Sequence, residues 1–109
     1  MASGTSILGE PQFAVLSGAA GDNTLVAAQG ANVKIRVLGF MLVPAASAVV
    51  TFQSGAGGTA LTGAMTLTAP IWIESCPLGL FETAAATLLN LHQTGVIQLS
   101  GWLIWCTAT

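Results

Sequence analysis

The chain has 109 residues, which suits one domain with one modest core. Charged residues make up 6% of it and hydrophobic residues 53%, where an ordinary soluble domain carries roughly 25% charged. Lys34 and Arg36 are its only basic side chains and the net charge is −2, so no patch exists for nucleic-acid phosphates. So few charges poorly suit a solitary soluble chain, and much of the surface is expected to lie against other chains.

Residues 1–11 read as a flexible N-terminal arm, with small and polar residues, one apolar pair (Ile7-Leu8) and then Gly9-Glu10-Pro11. They offer neither the basic nor the apolar region of a secretory signal, so the chain is expected to stay in a cytoplasm until it assembles. Residues 12–109 read as a single domain. Gln12 to Ser17 alternates as a strand, GAAGDN (18–23) reads as a turn, and Thr24 to Ala28 as a short strand.

Val33 to Ser54 carries two apolar, β-branched runs around Pro44-Ala45-Ala46-Ser47, the pattern of a hairpin. Val33, Ile35 and Val37 leave one face and Lys34 and Arg36 the other. Beyond them Leu38, Phe40 and Leu42 continue the face of Lys34 and Arg36, which predicts a strand apolar on both sides and covered twice. Its most apolar part, Val37 to Phe52, is shorter than the ~20 residues of a spanning helix and is broken by Gly39 and Pro44, so no membrane is expected.

Thr59 to Thr68, Pro70 to Ser75, Leu88 to Thr94 and Val96 to Cys106 supply further strands. About eight short strands with turns every 8–12 residues predict an all-β fold, an antiparallel β-sandwich or jelly-roll-like barrel. The competing element is a helix over Leu80 to Leu91, where AAATLLNL favours one. It lacks a good cap near Glu82.

Few residues could carry chemistry. His92 is the only histidine; with Asp22 and a serine it could form a triad, but no serine stands in a GxSxG context. Cys76 and Cys106 lack zinc-ligand spacing with His92, and in a reducing cytosol they are apolar fillers rather than a disulfide. SGAGGT (54–59) has no lysine and no following helix, so it is a turn and not a phosphate loop. Glu74 and Glu82 could form a carboxylate pair of the glycosidase kind, but nothing else supports it, and a surface or inter-subunit role, for instance pairing with Lys34 or Arg36, is expected instead. No catalytic residue, cofactor or metal is expected. Trp72, Trp102 and Trp105 are anchors of a core or interface, and Trp102 and Trp105, three apart, face opposite sides of a strand.

Three stretches carry a resemblance. KIRVLGFMLVPAASAVVTFQSGAGGTALTGAMTL, PLGLFETAAATLLNL and GVIQLSGWLIW resemble small virion proteins of tailed phages over about residues 30–106. The best-matched pieces are Ile35-Arg36-Val37-Leu38, Leu61-Thr62-Gly63 and Phe81-Glu82-Thr83-Ala84-Ala85. Ala86 stands where that pattern has Gly, and Trp105 where it commonly has Tyr. The resemblance implies a non-enzymatic head decoration (cement) protein on the capsid surface, assembled in the host cytoplasm. Its implied partners are its own copies, as a homotrimer on local three-fold positions, and the major capsid protein. Leu38, Phe40, Leu42, Trp72, Trp102 and Trp105 are the candidate subunit or capsid interface. The alternatives are a fibre, spike or tail-tip module that binds host glycan through Trp72 or Trp105, and a monomeric carrier of an apolar ligand.

Overall fold

Two antiparallel sheets face each other in the computed structural model, which describes residues 8–73 and 79–109. The strands are β1 (Gln12–Gly18), β2 (Gly21–Val26), β3 (Lys34–Pro44), β4 (Ala48–Ser54), β5 (Thr59–Ala60), β6 (Met65–Leu67), β7 (Ile71–Ile73), β8 (Phe81–Glu82), β9 (Leu89–Gln93) and β10 (Leu99–Ala108). One sheet runs β1-β10-β3-β7, with β8 also on β3; the other runs β2-β9-β4-β5, with β6 also on β4. The fold is a β-sandwich and not a closed barrel. Glu74, Cys76 and residues 1–7 of the expected arm lie outside the described residues. Leu8 and Gly9 are already tied to β10: Leu8 bridges Ala108, and the Gly9 amide donates to the Thr107 carbonyl at 2.8 Å.

The core lies between the sheets. β1, β10 and β3 contribute Leu16, Leu99, Leu103, Trp105, Ile35, Val37, Phe40 and Leu42, and the opposite sheet adds Val50, Phe52, Leu89 and Leu91. Phe52 stacks at a tilt on Phe40, with ring centroids 5.0 Å apart, and on Phe81 at 5.1 Å, so one aromatic chain fastens the sheets together.

The expected two-sided apolar strand is corrected here. On β10, Ile104 pairs with Gly39 and the next residue, Trp105, with Val37, so Leu38 is an extra residue without a partner in that ladder. This β-bulge reverses the phase of the strand. Ile35 and Val37 before it and Phe40 and Leu42 after it all face the same core. The alternation fades in the sequence because it changes parity at one residue.

Residues 80–86 are not helical. Their backbone groups are taken by the edge of β3: the amides of Leu80, Thr83 and Ala86 donate to the carbonyls of Val37, Ile35 and Val33 at 2.7–2.9 Å. The Ile35 amide in turn donates to Thr83 Oγ1 at 3.0 Å. Ala86 has φ of 56°, a left-handed conformation that costs an L-residue about 1–2 kcal/mol and ends any helical path. Ala86→Gly is expected to stabilise the fold by about 0.5–1 kcal/mol, after the flexibility cost of glycine, and so raise Tm by about 3–5 °C. A lower Tm in a thermal melt would contradict the strain.

The turn expected at 18–23 is shorter. β2 begins at Gly21, and Asn23 closes the turn by accepting from the Ala19 amide and donating back to the Ala19 carbonyl, each at 3.0 Å. Thr59 to Thr68, expected as one strand, is broken into β5 and β6.

Candidate interaction surface

The sandwich has two outward faces, and they differ in chemistry. In an antiparallel ladder directly paired residues point to the same side, so register defines each face. On the outside of the first sheet Val15 pairs with Trp102, Trp102 with Met41 and Met41 with Trp72, a row across four strands. Beside it Phe13 pairs with Ile104. Phe13 is 67% exposed, Val15 75% and Trp72 61%, while Met41, Trp102 and Ile104 between them are partly exposed. None of these six carries a charge. Phe and Trp each offer about 150–250 Å², so Phe13 and Trp72 alone leave on the order of 200–300 Å² of aromatic surface in water. With their neighbours they reach the range in which an exposed apolar patch marks an interaction site.

The bulge builds this face as well as the core. By turning Phe40 and Leu42 inward it turns Met41 and Val43 outward, in line with Trp102 and Ser100. The six residues expected at an interface therefore divide. Phe40, Leu42 and Trp105 belong to the core, and Leu38 is buried within the chain at the bulge. Trp72 and Trp102 lie on the exposed face, with Trp102 and Trp105 on opposite sides as their spacing requires. Sequence reasoning missed Phe13, Val15, Met41 and Ile104. Phe13 and Val15 alternate visibly, but alternation does not say which side is covered.

The outer face of the second sheet is polar. Asp22, His92 and Thr51 form one row, and Thr24, Asn90 and Gln53 the next. His92 Nδ1 lies 2.8 Å from Asp22 Oδ1. The amide nitrogen of Asn90, fully buried, donates to Asp22 Oδ1 at 3.0 Å and to Gln53 Oε1 at 2.8 Å. Hydrogen bonds from His92 and then Asn90 hold the Asp22 carboxyl below its ordinary value. The structure thus joins the histidine and aspartate considered for a triad, but the third residue in their row is Thr51. The pair lies on an open sheet face, with no cavity among the described residues to enclose a substrate. What this arrangement does is fasten β2 to β9.

The charges at the far end of β3 are also paired within the chain. Arg36 holds Glu82 Oε1 through Nε, at 3.0 Å, and through Nη2, while Lys34 Nζ lies 3.3 Å from Oε2. Burial works to raise the Glu82 carboxyl, but the hydrogen bond and charge of Arg36, with those of Lys34, outweigh it and hold it low. Arg36 and Glu82 are cross-strand partners, so this cluster clamps the two-residue β8 onto β3. Cys106, a buried free thiol beside it, is pushed up by desolvation. Among the described residues no three His, Cys, Asp or Glu side chains gather as metal ligands, and no helix is long and apolar enough to cross a membrane.

Among the described residues, Phe13, Val15, Met41, Trp72, Trp102 and Ile104 form an apolar face that is exposed or partly exposed. A scan against protein-family models and searches of curated proteins and of solved structures find no match to this chain.

Proposed function

We propose that this chain is a structural protein of a tailed-phage virion, of the head-decoration type, which docks its apolar sheet face onto protein neighbours and bridges adjacent coat subunits. The observation that carries this reading is that patch, six uncharged residues exposed or partly exposed across four strands, while the opposite face is polar. Such a surface gains most from a protein partner that removes it from water. Binding that favours the assembled shell adds free energy that expansion or internal pressure must overcome. The family resemblance implies the same reading, on stretches that include Met41, Trp102 and Ile104 of that face and residues away from it. Its pattern has glycine at the position of Ala86, where φ of 56° is a conformation that favours glycine.

The test is quantitative mass spectrometry of purified particles from the source of the gene. The proposal expects the chain at a copy number comparable with the coat protein. Its absence from particles would reject the virion reading. A second reading rests on Trp72, whose exposed indole is also a platform for stacking a sugar ring. A glycan array separates the two, because a decoration protein gives no saturable signal there.

A further inference from the structure

We infer that the outer edge of β1 is the contact between two copies of this chain, joined as antiparallel β1 strands about a two-fold axis. An open strand edge offers unpaired backbone groups to any other strand, and folded proteins blunt such edges with shortness, charge or irregularity. The sandwich has four edges. Among the described residues β7 and β8 span three and two residues, and β5 and β6 two and three. β2 carries the exposed charge of Asp22, and its register shifts between Thr24 and Val26. β1 has none of these guards. It runs seven residues, QFAVLSG, without charge and in unbroken register with β10. Glu10 and Pro11 stand just before it, so the guards stop where the strand begins.

The strand is also complementary to itself. With the axis through Val15, Val15 faces its own copy, Phe13 faces Ser17, Ala14 faces Leu16 and Gln12 faces Gly18. All seven residues pair and no like charges meet. A one-residue slip would bring the exposed Phe13 and Val15 into line with buried positions, so the alternation resists it. The contact is isologous and closes at two copies. It makes one continuous sheet from two and merges the apolar rows of both copies into one wider face. This names the self-contact of the assembly proposed above, as a two-fold pair in place of the trimer that the resemblance implies. It rests on that reading only for its role in a particle.

The experiment is light scattering after size exclusion on the purified full chain and four variants, each checked by circular dichroism. The wild type is expected at the mass of two 11.0 kDa chains. Val15→Lys sets two ammonium groups opposite each other at the axis and is expected to run as a single chain, with dimer affinity lowered at least tenfold. Val15 is exposed, so folding should survive; Ser17→Lys, also exposed on β1, serves the same purpose if it does not. Thr24→Lys, on β2, is expected to leave the mass unchanged. A wild type that is monomeric or trimeric overturns the inference, as does an unchanged mass for Val15→Lys. A dimer dissociated by Trp72→Lys but not by Val15→Lys also overturns it and moves self-contact to the sheet face. None of these readouts involves a particle, so the virion reading stands or falls separately.

Discussion

Deletion of Leu38 is expected to leave a cooperatively folded protein, whereas deletion of Met41, three residues away, is not. Leu38 is the unpaired residue of the bulge, with Val37 and Gly39 on either side of it paired to consecutive residues of β10. Removing it turns the bulge into a regular ladder and keeps Ile35, Val37, Phe40 and Leu42 on the core side. The loss is the burial of one leucine, about 2 kcal/mol. Removing Met41 throws one half of β3 out of phase. The strand can absorb that only by straightening the bulge, which puts Gly39 in the place of Phe40 and sends Phe40 into water. Phe40 is buried and stacks on Phe52, so the cost is that of a large-to-small core change or more, about 4–5 kcal/mol. That is comparable with the whole stability of a small domain. Urea unfolding of both deletions decides it. Equal damage from the two would mean that β3 carries no phase-reversing bulge.

Gly101→Ala is expected to cost about 3 kcal/mol or more. Gly101 lies in β10 between Leu16 and Leu42, at the centre of the first sheet, with φ of 145°. A Cβ there would lie 1.9 Å from the carbonyl oxygen of Met41, a backbone atom that cannot turn aside as a side chain does. Strain from the positive φ and displacement of β3 from β10 then act together. The matched control is Gly63→Ala, which meets nothing within 4 Å and is expected to change stability by less than about 0.5 kcal/mol. If both substitutions shift the urea midpoint alike, the close approach of β10 to β3 at Gly101 is wrong.

These two sites show where the sequence was legible. Ile35, Val37 and the Pro44–Ser47 turn announce a hairpin because strand periodicity and turn chemistry are local. The all-β class followed from such patterns, while Glu82, expected in a surface or inter-subunit role with Lys34 or Arg36 as possible partners, pairs with both inside the chain. The phase of Phe40 and Leu42 was not legible. A bulge is settled by the partner strand, and nothing local to Leu38 marks it as the extra residue. Taken at constant period, the strand placed Phe40 and Leu42 outside and so assigned them to an interface. The true outward residues, Met41 and Val43, follow only once the bulge is known. Trp72 and Trp102 were found by residue type alone, because large aromatics are costly to leave in water without a use. Phe13 and Val15 required the topology, which leaves β1 at an edge and one of its sides uncovered. His92 and Asp22 were named together as possible triad members, but the part of Asn90 was hidden for a similar reason: the register of β2 on β9 joins residues about seventy positions apart.

The outer face of the β1-β10-β3-β7 sheet is the proposed binding surface. The most direct measurement is a binding titration on particles stripped of this protein, with the wild type, Trp72→Lys and Thr51→Lys compared at matched melting temperatures. Trp72 has the size and exposure of an interface anchor, so Trp72→Lys is predicted to weaken binding by about 30-fold or more, the equivalent of about 2 kcal/mol. Thr51→Lys, on the polar face, is predicted to bind as the wild type does. Binding that survives Trp72→Lys, or fails with Thr51→Lys, would contradict the account.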